Sequence, residues 1–127
     1  MENSERAEFQ IGGDTVFYRN DSTIQVIVTG IQTLEMALEM KKLCLKLSSK
    51  TESKYNYLID INKCGKNEPG AREIWIELSG HEKTNKVATF GMNPVAQVIA
   101  NFVIGTHKGN NLRFFNSEKD AVNWLNE

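Results

Sequence analysis

The sequence predicts a mixed α/β sheet, opened by an antiparallel hairpin and continued by strand–helix units. Three observations carry that prediction. Two short strand-like segments near the N-terminus meet at Gly12-Gly13-Asp14, a strong turn signal. From Thr23 onward, β-branched runs alternate with segments at helical spacing, which demands crossover connections and a largely parallel sheet. The closing segment, Lys86 to Glu127, reads as strand, strongly apolar helix, strand and capped helix.

Taken in order, Phe9–Gly12, Thr15–Arg19 and Thr23–Thr29 read as three strands, with a second break at Asn20-Asp21-Ser22. Thr23-Ile-Gln-Val-Ile-Val-Thr29 is apolar on both faces near its centre, as an interior strand should be, and Gly30 is expected to end it. Thr33 is suited to cap a helix reaching about Ser48. Met36, Ala37, Met40, Leu43, Cys44 and Leu47 make its core stripe. Leu34, Leu38 and Leu45 fall nearly opposite, facing either a neighbouring helix or hairpin, or a partner.

Tyr55–Ile61 is another buried-looking strand, with Asn62-Lys63-Cys64-Gly65 read as the turn that stops it. Pro69 suits the first turn of a helix whose core face is Ala71, Ile74, Trp75 and Leu78, closed by Gly80. Asn93 and Pro94 open a third long helix that is apolar nearly all round, relieved mainly by Gln97 and Asn101. Ser117, with Asp120 three residues on, caps a last helix with Ala121, Trp124 and Leu125 as its core face.

At 127 residues and 40% hydrophobic, the chain supplies one ordinary core, so residues 1–127 are expected to form a single domain with residues 1–7 flexible. Fifteen Lys and Arg against sixteen Asp and Glu leave no basic excess of the kind nucleic acid requires. There is no basic-then-apolar signal segment, and no run approaches a membrane span. Two cysteines without an export signal read as free thiols, so a cytoplasmic protein is expected.

The order of these elements resembles the STAS fold, the fold of anti-sigma-factor antagonists, and in particular its SpoIIAA-like (STAS/SEC14-type) branch. The residues carrying the resemblance are Tyr57-Leu-Ile-Asp-Ile61, Ala71-Arg72, Lys86-Val-Ala88, Asn93-Pro94-Val95 with the apolar helix after it, and Arg113-Phe-Phe115 leading to Ala121–Leu125. It covers about residues 8 to 126 and implies a STAS-like mixed sheet with about four helices. It also implies a non-catalytic module acting by protein binding, some relatives taking nucleotides or lipids. In antagonist members a serine in the turn after the central strand is phosphorylated by a partner kinase. Asn62-Lys63-Cys64-Gly65 has no hydroxyl, so the switch is not carried over.

The residues themselves offer little catalysis. His81 and His107 lie in polar contexts without a neighbouring nucleophile and read as surface histidines. No metal-ligand spacing occurs, and the glycines from Gly65 to Gly70 match no phosphate loop, so no cofactor or metal is expected. Cys64, near Lys63 and Lys66 and a helix start, is the thiol whose surroundings could lower its pKa and support an enzyme, the least favoured reading. In open α/β sheets ligands gather outside the carboxyl ends of the strands. That places a candidate ligand site at Asn62, Lys63, Cys64, Arg72 and Asn93, with Arg72 either a donor to an anion or the partner of a nearby carboxylate. Val95, Val98, Ile99, Phe102 and Val103 form the candidate interaction surface, for a protein partner, for self-association or around a lipid or anionic apolar ligand, against plain core packing as the other reading.

Overall fold

A computed structural model of the chain describes residues 7–95, 97–98, 100–101 and 111–127. The strands are β1 (Phe9–Ile11), β2 (Asp14–Asn20), β3 (Thr23–Gln32), β4 (Tyr55–Asn67), β5 (Thr84–Phe90) and β6 (Leu112–Phe115). They form one sheet in sequence order, β1-β2-β3 antiparallel and β3-β4-β5-β6 parallel. The helices are α1 (Leu34–Ser48), α2 (Pro69–Ser79), a helical stretch α3 of which 94, 95, 97, 98, 100 and 101 are described, and α4 (Glu118–Leu125). The expected mixed sheet with its N-terminal hairpin is therefore present.

Local chemistry explains the helix starts. The Thr33 hydroxyl accepts the Met36 N–H at 3.1 Å, and the Ser117 hydroxyl accepts that of Asp120 at 3.2 Å. At α2, Pro69 occupies the first turn, and Glu68 before it makes no side-chain cap. The Glu68 carboxylate turns away and accepts the Leu34 N–H at 2.7 Å, joining the starts of α1 and α2.

Each face of the sheet holds its own core. Ile24, Val26, Val28, Tyr57, Ile59, Ile61 and Val87 pack under α1 (Met40, Cys44, Leu47) and α2 (Leu78), with Trp75 and Val95 against the same cluster. Leu58, Ala88 and Phe90 form the second core with Ala121, Trp124 and Leu125 of α4. Alternation along β4 is what sends Tyr57 and Ile59 one way and Leu58 the other. Helices on both faces are required by a parallel sheet, because its strands are apolar on both sides.

Two sequence expectations need correction. Gly30 does not end β3, and Asn62-Lys63-Cys64-Gly65 is not a turn. Both strands run on, to Gln32 and Asn67, and stay paired. Two steps along β3, Ile27 to Thr29, match three along β4, Asp60 to Lys63; Gly30 to Gln32 likewise matches Cys64 to Asn67. Each mismatch is a bulge that inserts one residue into β4. Turn-forming residues therefore appear here because bulges, like turns, need them.

The expected flexibility of residues 1–7 falls, apart from Ala7, outside the described residues, as do His107 and the candidate surface residues Ile99, Phe102 and Val103. Among the described residues, no helix is long and apolar enough to cross a membrane.

Candidate functional site

The bulged extension of β4 holds three of the five candidate ligand residues. Its first bulge changes which face the following residue takes. Ile61 and Cys64, three positions apart, both belong to the α1–α2 core, whereas unbroken alternation would have turned Cys64 outward. Lys63 remains exposed on the other side.

Two glycines let β3 and β4 run this close. Gly30 has φ +77°, a left-handed conformation natural to glycine. A Cβ at Gly65 would lie 2.9 Å from the Gly30 carbonyl carbon and 3.1 Å from the Ile31 nitrogen.

Asp14 fastens the β3 extension from the other side. It is 1% exposed, and its Oδ1 accepts the Thr29 N–H at 2.9 Å and the Gln32 Nε2–H at 3.0 Å. Gln32, also buried, donates further to the Thr29 and Gly30 carbonyls. The second Asp14 oxygen, Oδ2, is buried without a hydrogen-bond partner among the described residues. Burial raises the Asp14 pKa, opposed by its bonds from Thr29 and Gln32. Sequence reasoning missed Asp14 because a Gly-Gly-Asp stretch reads as an exposed turn; only the tertiary path of β3 covers it.

Cys64 is 5% exposed. Its thiol donates to the Gly65 carbonyl at 3.2 Å and accepts from Asn67 Nδ2 at 3.4 Å. Burial pushes the thiol pKa up, the Asn67 bond draws it down, and the charge of Asp14 adds to the rise. This reverses the expectation of a lysine-activated thiol. Lys63 and Lys66 project to solvent while the sulfur points inward, so proximity in sequence brings no charge to the thiol. Cys44 is more deeply buried, and desolvation pushes its pKa up to about 12.

Beneath Cys64 lies a cavity of about 60 Å³ between the sheet and α2. Cys64, Asn67, Arg72, Trp75 and Thr89 share its wall with apolar side chains of β3 to β6. The structure thus brings Cys64 and Arg72 together, as the sequence reading grouped them. Asn62 and Asn93 instead meet each other. Asn93 Nδ2 donates to the carbonyls of Ile61, at 3.1 Å, and Asn62, while Asn62 Oδ1 accepts the Met92 N–H at 3.1 Å. This clamp ties the end of β4 to the entrance of α3. Beside it, Met92, Asn93, Pro94, Gln97 and Asn116 line an open groove of about 310 Å³. The five candidate residues are therefore an inward pair, a clamped pair and one solvent lysine.

Val95 packs against the larger core, whereas Val98 is 57% exposed. His81, half-buried, accepts the Lys83 N–H on Nδ1 at 3.1 Å and shapes the turn into β5. Among the described residues, no three or more His, Cys, Asp or Glu side chains are gathered as a metal site would need.

Comparison with solved structures agrees with this architecture. The chain is similar to an uncharacterized protein from Shewanella loihica PV-4, of the DUF3478 family with a SpoIIAA-like fold: 19% identity, 94% of this chain and 91% of that chain covered, TM-score 0.59. It is also similar to the anti-sigma factor antagonist SpoIIAA in its unphosphorylated form: 6% identity, 90% of this chain and 98% of that chain covered, TM-score 0.64. At such identities the likeness establishes a SpoIIAA-like fold alone. No curated protein matches the chain by sequence. One family model does match, over residues 21–127, and the chain belongs to that family, described as Domain of unknown function (DUF7793).

Proposed function

We propose that the chain is a non-catalytic regulatory or scaffold module that works by binding another protein at the edge where the parallel strands end, and that it does so without a phosphoserine switch. One observation carries this reading. Every exposed large apolar side chain among the described residues belongs to that edge or to a helix that starts there: Ile31 (67% exposed), Leu34, Leu38, Met92 (77%) and Val98 (57%). Apolar side chains scattered singly need no explanation, but five on one edge and on the helices leaving it mark a region suited to a partner. A protein-binding fold of the SpoIIAA kind supports the same reading. The absence of a serine or threonine from Asn62 to Asn67 supports the missing switch.

The test uses proximity labelling in the organism that makes the protein, followed by reconstitution of each candidate pair from purified components. The expected result is a partner that binds the native chain and is lost with Met92→Glu or Val98→Glu. Binding that both variants leave intact, or no pair that survives reconstitution, overturns the reading.

The small-ligand reading has one observation in its favour, the cavity beside Cys64 and Arg72. Its volume of about 60 Å³ is well below the roughly 300–1,000 Å³ of ordinary ligand pockets, so the protein-binding reading is preferred.

A further inference from the structure

We infer that the outer stripe of α1 is the docking surface for a second copy of this chain, arranged antiparallel about a two-fold axis. This rests on the reading of the protein as a binding module and assigns one of its partners. Glu35, Glu39, Lys42 and Lys46 are all exposed. Their spacings of four, three and four residues put them within roughly 60° of one another on a helix of 3.6 residues per turn, so they form one stripe. Read along the helix, its charges run minus, minus, plus, plus.

That order complements itself only when reversed. With the two-fold axis between residues 40 and 41, Glu35 lies opposite the partner's Lys46, and Glu39 opposite the partner's Lys42. Each pair occurs twice, as an isologous interface requires. A parallel copy would set like charges against like, and a uniformly acidic or basic partner would be repelled by half the stripe. The helix dipole explains Glu35 in the first turn and Lys46 in the last, but not Glu39 and Lys42 in the middle. None of the four has an ion-pair partner among the described residues, where the pairs of this type are Arg19–Glu118 and Lys41–Glu77.

The stripe also has apolar surface beside it. Leu38, on one flank, is 49% exposed. On the other, Glu39, Lys42 and Lys46 form one wall of an open groove of about 750 Å³, which Leu43, Phe9 and Ile11 also line. Phe9 and Leu43 are only partly buried. Burial of these groups supplies the attraction, and the charge pairs set direction and register.

Light scattering after size exclusion, over a protein concentration series, tests this. The native chain is expected to dimerise. Glu35→Lys with Glu39→Lys makes the stripe wholly basic, and Lys42→Glu with Lys46→Glu makes it wholly acidic. Each variant alone should dimerise at least about tenfold more weakly, and an equimolar mixture should recover assembly as a heterodimer. Exchanging the central charges, Glu39→Lys with Lys42→Glu, preserves every cross-pair and should leave the dimer intact. Circular dichroism confirms that each variant is folded; that last variant keeps both terminal charges and serves if the others lose helix. A monomeric native chain at about 500 μM, a millimolar-range affinity at best, overturns the inference and leaves the partner-binding test at Met92 and Val98 standing. So does a native dimer that neither charge-reversed variant weakens, or one that the central exchange abolishes.

Discussion

Replacing Gly65 by alanine is the sharpest test of the bulged β4 extension. The new methyl would sit 2.9 Å from the Gly30 carbonyl carbon and 3.1 Å from both the Gly30 oxygen and the Ile31 nitrogen. These atoms are all backbone, so no flexible side chain can yield. Relief requires β3 to move off β4, which strains the pairing of Gly30 with Cys64 and the Asp14 bond to the Thr29 N–H. Overpacking of this kind costs about 1–3 kcal/mol. A weakened hydrogen bond adds on the order of 1 kcal/mol. The lower entropy of the unfolded alanine chain offsets roughly 0.4–1 kcal/mol. The net destabilisation is about 1–4 kcal/mol, which for a chain of this size lowers Tm by roughly 3–20 °C. Differential scanning calorimetry of Gly65→Ala beside Gly80→Ala reads this directly. Gly80 closes α2, and its nearest contacts to a new Cβ are 3.8 Å, so that variant should stay within about 0.5 kcal/mol of the native chain. If the two variants melt together, the strands do not approach as described and the account of the extension is wrong.

Three further predictions follow from buried groups. Because burial raises the Asp14 pKa in the fold, stability should fall as pH rises from the ordinary value of 3.8 through the raised native value, then level off; Asp14→Asn, which keeps the Oδ1 acceptor, should flatten that decline in urea titrations run across pH, and an unchanged slope would count against it. Trp124 is 7% exposed and packs against Phe115 at 5.6 Å between ring centres, so Trp124→Ala should lose about 3–5 kcal/mol by chemical denaturation, and native-like stability would mean that α4 does not seal the second core. Both thiols are buried with raised pKa values, so a thiol reagent at pH 7 should label Cys44 and Cys64 only on unfolding; rapid labelling of Cys64 in the native protein, read by mass spectrometry, would contradict its inward placement.

Where structure is decided locally, the sequence was legible. Thr33 and Ser117 cap the helices they were expected to cap, Pro69 and Pro94 stand in first turns, and the Gly12-Gly13 hairpin joins β1 to β2. The second leucine row of α1 faces α2 in part: Leu34 lies against Gly70 and Leu45 is partly buried in the core, while Leu38 stays exposed. What could not be read depends on pairing between residues far apart in the chain. Nothing local in Asn62-Lys63-Cys64-Gly65 distinguishes a turn from a bulged strand, because both select the same residue types. Pairing with Thr29–Gln32 makes the difference, and it also buries Asp14 and turns Cys64 inward. Cys64 and Arg72 line one cavity because a strand end and the following helix are close in any such fold. Asn62 and Asn93 lie apart from that pair: the Asn93 amide donates to the backbone carbonyls of Ile61 and Asn62, and the Asn62 side chain accepts the Met92 N–H.

The two bulges make the stretch from Asn62 to Asn67 sensitive to insertion and deletion, unlike an ordinary connecting loop. Exchanging Lys63 or Lys66 for another polar residue changes only solvent-facing groups. Removing one residue between Ile61 and Cys64 would restore plain alternation and erase the first bulge, which keeps the sulfur facing the core but takes away the extra residue that bends β4 beside Thr29. Natural variation along this stretch should therefore change its letters while keeping its length.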